Sequence, residues 1–358
     1  MQILISSLAI IICLICVIGI HEIGHALAAK IFGVKIRSIS LGFGKTLFKF
    51  KCSRDYSVDI KALPIGGCVH LFNTRVIPVT PDKEQFCFDN KPIWVRIIIL
   101  LSGSIANVVL AFIALMFMFI IGFKQMPAVI DTVITGSRAE LVGLKDGDRI
   151  TKVAGKDAQY WRDVGMQFIM HVGQKNVPIV ACSQLNICHS FSLDLDLWNR
   201  DSKNFSMYDA IGFKPRVGKQ YVVFTPGSSF LKSIMQAYSS LLGLFAFFFV
   251  ILKQIFLGAI PFAALLGPFK FFEAVIDSFM QGFATFLYFM GNFSLAMGVA
   301  NLLPIPGLDG GSVIYALIEK VRGKPISIAL EVLIYRLIFI AFAIFIVKLI
   351  VNDMHYYF

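Results

Sequence analysis

The residues that first suggest chemistry are His21-Glu22-Ile23-Gly24-His25, an H-E-x-x-H pattern. On a helix, positions i and i+4 share one face, so both imidazoles point at the same spot with Glu22 beside them. Two imidazoles are two of the three protein ligands that a catalytic zinc takes, the fourth position staying open for water; an adjacent carboxylate can accept that water's proton. Five residues of pattern arise by chance, and what gives these weight is their position. They follow Ile3 to Ile20, 18 residues without a charge. Ionisable groups at membrane depth are costly unless they are partnered inside protein, and they mark function by default. A third ligand is expected from elsewhere at similar depth. In Asn301-Leu302-Leu303-Pro304-Ile305-Pro306-Gly307-Leu308-Asp309-Gly310-Gly311, two prolines and three glycines interrupt an apolar region. Irregular backbone is tolerated there only where it lines a cavity or packs on protein. Asp309 is its carboxylate, and the competing reading is a cap for a helix starting near Ser312. The ligand types point to zinc, although iron or cobalt would accept the same three residues.

The elements that must carry these groups are membrane helices. Ile3 to Ile20 would span about 27 Å as a helix. No basic segment precedes it, no small-residue cleavage site follows, and the apolar pattern continues to Ile31, so it reads as a retained span rather than a signal peptide. From Gly33 to Phe72 the pattern turns to period two: Phe48 and Phe50 alternate with Lys49 and Lys51, then Tyr56, Val58 and Ile60 alternate with polar residues. That predicts two strands around a turn at Cys52 to Asp55, followed by Pro64-Ile65-Gly66-Gly67-Cys68-Val69. A second span runs from about Ile93 to Phe123. Lys124 to Lys232 has the make-up of a soluble module, with 14 basic and 10 acidic residues, and the size of one small domain. Gly282 to Leu303 and Ile334 to Val351 are further spans, joined by a basic loop holding Lys320, Arg322 and Lys324. Tyr238 to Ile260 is hydrophobic enough to span but contains Lys253. If the soluble module and the last basic loop lie on opposite sides, an odd number of crossings separates them, which favours an interfacial or re-entrant segment there.

Composition agrees. Of 358 residues 57% are hydrophobic and 15% charged, against about 45 to 50% and about 25% in a soluble domain, so a soluble or disordered protein is excluded. The net charge of +11 invites a nucleic-acid reading, but +7 of it lies between Lys30 and Arg96, where 12 basic residues face 5 acidic ones beside two apolar runs. That is the cytoplasmic signature of a membrane protein, and no nucleic acid partner is expected. Seven cysteines make no disulfide framework. Cys182 and Cys188, both in the soluble module, are the pair that would bridge if that side is oxidising.

H-E-x-x-H in the first span, N-x-x-P-x-P-x-L-D-G-G near the C-terminus and the soluble module between them resemble the site-2 protease family of intramembrane zinc metalloproteases. The resemblance covers nearly the whole chain. Pro64-Ile65-Gly66-Gly67 is similar to that family's re-entrant β-loop, and Gly103 to Asn107 to its G-x-x-x-N in the second span. The resemblance implies Zn2+ held by His21, His25 and Asp309, Glu22 as general base, and Asn301 in contact with the substrate or transition state. An edge strand at Gly66 and Gly67 would hold an unwound substrate extended. Ala139 to Ile150 resembles the A-x-x-x-G-L-x-x-G-D-x-I core of PDZ domains, with Leu144 and Ile150 buried. This is one such domain, where larger relatives carry two.

The expected fold is an α-helical membrane protein of about four transmembrane helices with a re-entrant β-loop and an inserted mixed α/β PDZ-like domain. Its divisions are an N-terminal transmembrane part at 1–123, a PDZ-like domain at 124–225, an amphipathic interfacial segment at 226–281 and a C-terminal transmembrane part at 282–358. The expected partners are transmembrane protein substrates, membrane lipid and an unidentified peptide ligand of the PDZ-like domain. The place implied is a bacterial inner membrane, with the site near the cytoplasmic side and the PDZ-like domain outside. A transporter using the same ionisable residues would call for paired broken helices, and only one broken segment is found.

Overall fold

The computed structural model describes residues 2–51, 56–76, 78–196, 207–260, 265 and 267–357; the turn expected at 52–55 lies outside them. In chain order the elements are α1 (Gln2–Ile31), β1 (Ile36–Lys51), β2 (Ser57–Leu71), α2 (Ile93–Ile121), β3 (Gly122–Gln125), β4 (Ile130–Val133), α3 (Arg138–Leu141), β5 (Arg149–Val153), β6 (Lys156–Asp157) and α4 (Trp161–Met170). There follow β7 (Val177–Cys182), β8 (Cys188–Leu193), α5 (Met207–Ile211), β9 (Phe213–Pro215), β10 (Val223–Pro226), α6 (Phe230–Phe256), α7 (Pro268–Met280), α8 (Phe283–Asn301), α9 (Asp309–Arg322) and α10 (Ile328–Tyr357). Contacts divide the chain into two compact units, residues 1–116 with 272–346 and residues 117–271 with 347–358.

Among the described residues five helices are long and apolar enough to cross a membrane: Ile5–Ile31, Ile93–Ile121, Phe230–Phe256, Phe283–Asn301 and Ile328–Met354. Four correspond to the spans expected from sequence. The fifth is α6, a continuous helix where an interfacial segment is expected; Lys253 stands in its last turn and does not interrupt it.

In the first unit, helices approach through small residues, as they do where lipid supplies no hydrophobic drive between them. A Cβ at Gly24 would lie 2.8 Å from the Ala106 Cβ, so α1 rests directly on α2. Gly291, Ser294 and Gly298 of α8 form a second such stripe: Ser294 Oγ donates to the Asn107 carbonyl at 2.9 Å, and a Cβ at Gly298 would come within 3.2 Å of the Ser104 carbonyl. The β hairpin folds back on itself. Ile36 to Leu41 pairs with Leu71 to Gly67, and Thr46 to Lys51 pairs with Lys61 to Ser57, while Ser38 to Leu41 also lies beside Ser57 to Ile60. Residues 67–71 therefore form an edge, paired along one side. Arg96, at the start of α2, makes a two-pronged ion pair with Glu319 of α9, 2.9 Å on each prong.

The second unit contains a four-stranded sheet in the order β6-β5-β7-β8 and the two-stranded pairs β4-β9 and β10-β3. Its core gathers Ile130, Leu144, Ile150, Val164, Phe168, Ile179, Leu193 and Phe213, so Leu144 and Ile150 are buried as expected. Gly147 takes φ +85° in the turn before β5, and the Asp148 carboxylate accepts the Lys145 N–H at 2.9 Å. Cys182 and Cys188 are joined by a disulfide across the β7-β8 hairpin. β3 and β10 pair antiparallel, bringing residues 122–125 and 223–226 side by side. α6 packs on α4, and Gln254 near its far end donates to the Met170 carbonyl at 3.2 Å. Asp353, fully buried near the end of α10, accepts the backbone N–H groups of Gly267, Phe269 and Lys270 at the start of α7.

Candidate metal centre

The centre lies in the first unit. His21 and His25 stand one turn apart on α1, with their rings nearly perpendicular at 87°. Asp309 is the first residue of α9, and the N-cap position is occupied by Leu308. Asp309 is thus not the cap of a helix starting further on, and a carboxylate in a first helical turn is favoured by the helix dipole. The loop before it is tight. Gly307 takes φ +100°, and a Cβ at Gly310 or Gly311 would strike the carbonyls of Leu302 and Leu303 or of Ile305, so the glycine pair lets α9 begin inside its own approach loop.

The three candidate ligand atoms converge. His21 Nε2 and His25 Nε2 are 3.2 Å apart, and Asp309 Oδ2 lies 3.2 Å from the first and 3.3 Å from the second. Zinc bonds of about 2.0 to 2.2 Å in a tetrahedron set ligand atoms about 3.3 to 3.6 Å apart. One side of the triangle, 3.3 Å, is at the lower end of that range and the other two, 3.2 Å, fall just short of it. Asp309 Oδ2 is buried and, among the described residues, accepts no well-directed hydrogen bond. His25 Nδ1 donates to the Ile99 carbonyl at 2.7 Å, which leaves its Nε2 bare for a metal. A bare imidazole nitrogen and an orphaned carboxylate oxygen turned to one spot fit a divalent cation of zinc's size.

Glu22, 4% exposed, lies next to the pair. Its carboxylate takes a hydrogen bond from the Val69 N–H on the β2 edge. A Cβ at Gly67 would stand 2.7 Å from Glu22 Cγ and 2.8 Å from Oε1, so only glycine leaves room for the acid. Gly66 beside it takes φ +80°. The hairpin edge thus passes directly over Glu22. Asn301 is the last residue of α8, on the loop that delivers Asp309; among the described residues it makes no hydrogen bond to the three ligand atoms. His70, His171 and His189 join no metal-holding group among the described residues. His171 caps α4, its Nδ1 bonded to the Gln167 carbonyl at 2.8 Å.

What single-sequence reasoning leaves unassigned is the face of α2 that opposes the ligands. Ile99, Gly103 and Asn107 are spaced by four and share one stripe. Ile99 supplies the carbonyl for His25. A Cβ at Gly103 would strike His25 Nε2 and lie 2.7 Å from His25 Cε1 and 2.8 Å from His21 Cε1. Asn107 Nδ2 is 3.4 Å from His21 Nδ1. The G-x-x-x-N pattern was the available signal.

An H-E-x-x-H helix, a carboxylate from a distant broken segment and apolar helices around both are the make-up of a metallopeptidase set in a membrane. The chain belongs to peptidase family M50, whose family model matches residues 9–346, in keeping with the resemblance to site-2 proteases read from the motifs. Proteins named "Putative zinc metalloprotease" match in Vibrio cholerae, 32% identical over 216 residues (60% of this chain, 48% of that one), and in Rickettsia conorii, 26% over 327 residues (90% of each). The regulator of sigma-E protease RseP of Escherichia coli is 28% identical over 200 residues, 56% of this chain and 44% of its own. This chain spans about half the length of the Vibrio and Escherichia proteins.

Proposed function

We propose that this chain is an intramembrane zinc endopeptidase that cuts transmembrane segments of single-span membrane proteins, in regulated proteolysis of an anti-sigma factor or in clearance of signal-peptide remnants. The observation that carries the reading is the convergence of His21 Nε2, His25 Nε2 and Asp309 Oδ2 within hydrogen-bond distance of one another, with Glu22 beside them. In this reading His21, His25 and Asp309 hold Zn2+, which when bound polarises a scissile carbonyl and acidifies water. Glu22 takes the proton from the attacking water and hands it to the departing amine. Its burial under residues 67–69 keeps bulk water from competing for that proton. A membrane helix shields its peptide bonds in its own hydrogen bonds, so a substrate must unwind locally. The side of this edge turned away from β1 would offer backbone groups at Gly66 and Gly67 to the extended segment, the Val69 N–H being taken by Glu22, and Asn301 would meet it from the α8 end.

The segment divisions at 123, 225 and 281 and the PDZ-like character of 124–225 belong to the same proposal, as do a peptide ligand for that domain and contact of the helices with lipid. The excess of basic residues between Lys30 and Arg96 supports, within this proposal, a site near the cytoplasmic face of an inner membrane with the inserted domain outside. Two facts favour α6 lying along the interface rather than crossing. It leaves the domain at residue 226 and touches it again through Gln254 and Met170. In addition, α8 must start on the outer side for its far end to bring Asp309 to His21 and His25. Four crossings then suffice.

The test is metal content. Full-length protein in detergent is expected to hold one zinc, and Asp309→Ala to hold it at least about 100-fold more weakly, as expected when one of three protein ligands is lost. Unchanged zinc in Asp309→Ala would remove Asp309 from the site and the reading with it.

A further inference from the structure

The two imidazoles are treated differently by α2. His25 Nδ1 has a carbonyl to donate to, 2.7 Å away at Ile99. His21 Nδ1 faces the amide of Asn107, whose side chain is fully buried. In the orientation seen, Asn107 Nδ2 points at His21 Nδ1 at 3.4 Å, a long separation for such a bond. Among the described residues Asn107 Oδ1 is buried with no hydrogen-bond partner. With a donor facing Nδ1, the His21 proton must sit on Nε2, the nitrogen turned toward His25 Nε2 and Asp309 Oδ2, and no metal can bind there. A half-turn of the amide exchanges Oδ1 and Nδ2 without changing its shape. The carbonyl then accepts Nδ1–H, and Nε2 becomes a lone pair like those of His25 and Asp309.

We propose that Asn107 is a positioning residue for His21: its amide oxygen accepts the Nδ1–H and holds the imidazole with Nε2 bare toward the metal. The backbone makes the residue suited to this. The Asn107 carbonyl accepts Ser294 Oγ at 2.9 Å, which anchors this turn of α2 to α8, and a Cβ at Gly298 would lie 3.3 Å from the Asn107 Cβ. The side chain therefore leaves from a fixed point, with Gly103 one turn away giving both imidazoles room. α2 then sets the tautomer of both histidines, through a main-chain oxygen for His25 and a side-chain oxygen for His21. A neutral imidazole left to itself carries its proton by choice of partner, so without Asn107 the metal must displace the proton from Nε2 before binding. Partners of this kind are worth about 10- to 100-fold in metal affinity.

The inference rests on His21 being a zinc ligand, and the experiment separates the two. Full-length wild type, Asn107→Leu and Asn107→Asp are titrated with zinc against a competing chelator in detergent, with melting temperature as the control for folding. Asp can only accept from Nδ1–H, Leu can do neither. Asn107→Leu is expected to bind zinc about 10- to 100-fold more weakly, and Asn107→Asp to restore affinity to near wild type. Equal zinc affinity in wild type and Asn107→Leu would overturn the inference while leaving His21 a ligand. Asn107→Asp as weak as Asn107→Leu would overturn it by showing that a donor is needed. No zinc in wild type would remove both readings. Nitrogen NMR of histidine-labelled, metal-free wild type needs no variant: His21 protonated at Nδ1 supports the assignment, and His21 protonated at Nε2 overturns it.

Discussion

Replacing Gly103 by alanine is the perturbation whose size follows most directly from the geometry. The added Cβ would strike His25 Nε2 and stand 2.7 Å from His25 Cε1 and 2.8 Å from His21 Cε1. Ordinary contact begins at 3.4 Å, so each ring must retreat by roughly 0.6 Å or more, a shift that metal-ligand distances, held to about 0.2 Å, do not absorb. Both histidines are displaced together, by more than loss of an outer partner would displace either. The expected loss of zinc affinity is at least about 100-fold, equivalent to about 2.7 kcal/mol. Helix propensity works the other way, since alanine gains about 1 kcal/mol over glycine in a helix interior, so the fold should lose little beyond the local overpacking cost of about 1 to 3 kcal/mol. The assay is chelator competition on detergent-solubilised protein, with melting temperature in parallel. Gly19→Ala, on the ligand helix with nothing within 4 Å of the added Cβ, is the control and should match wild type. Wild-type zinc affinity in Gly103→Ala would refute the placement of the two imidazoles against α2.

Gly67→Ala tests the other side of the site. Its Cβ displaces the Glu22 carboxylate and leaves the three ligand atoms alone, so cleavage should fall by about 100-fold or more, the scale of general-base catalysis, with zinc content unchanged; loss of zinc would place Gly67 elsewhere. Arg96 and Glu319, with side chains 9% and 22% exposed, tie the start of α2 to α9, the helix that carries Asp309. Arg96→Leu strands the acid and should cost about 3 kcal/mol in thermal stability. Arg96→Leu with Glu319→Leu should recover most of it, and additive losses would deny the pair.

The parts of the candidate site legible in sequence are those coded within one helix or one short loop. His21, Glu22 and His25 announce themselves because helical periodicity alone brings them to one face. Asp309 is marked by the prolines and glycines that must break the backbone around it. Arg96 and Glu319, the Ile99 carbonyl for His25 and the Val69 N–H for Glu22 were not legible, because each is a contact between elements far apart in the chain, and a carbonyl oxygen has no residue type to betray it. The sequence marks Gly67 only as a place for substrate. Its closest neighbour is Glu22, which only three-dimensional packing reveals. Asp353 reads as a polar residue near the end of an apolar helix, yet it supplies the buried acceptor for three N–H groups at the start of α7. α6 shows the limit of charge as a guide: Lys253 argues against a span in the sequence, yet the helix it sits in is continuous and long and apolar enough to cross.

The central claim is that Glu22 acts on water beside a metal held by its neighbours. Its most direct test is cleavage of a single-span substrate by full-length wild type and Glu22→Gln in detergent, with zinc assayed in both and the cut site mapped by mass spectrometry. The account predicts a cut inside the substrate's transmembrane segment by wild type, and in Glu22→Gln full zinc occupancy with cleavage lowered by at least about 100-fold. Equal cleavage by the two proteins would contradict it.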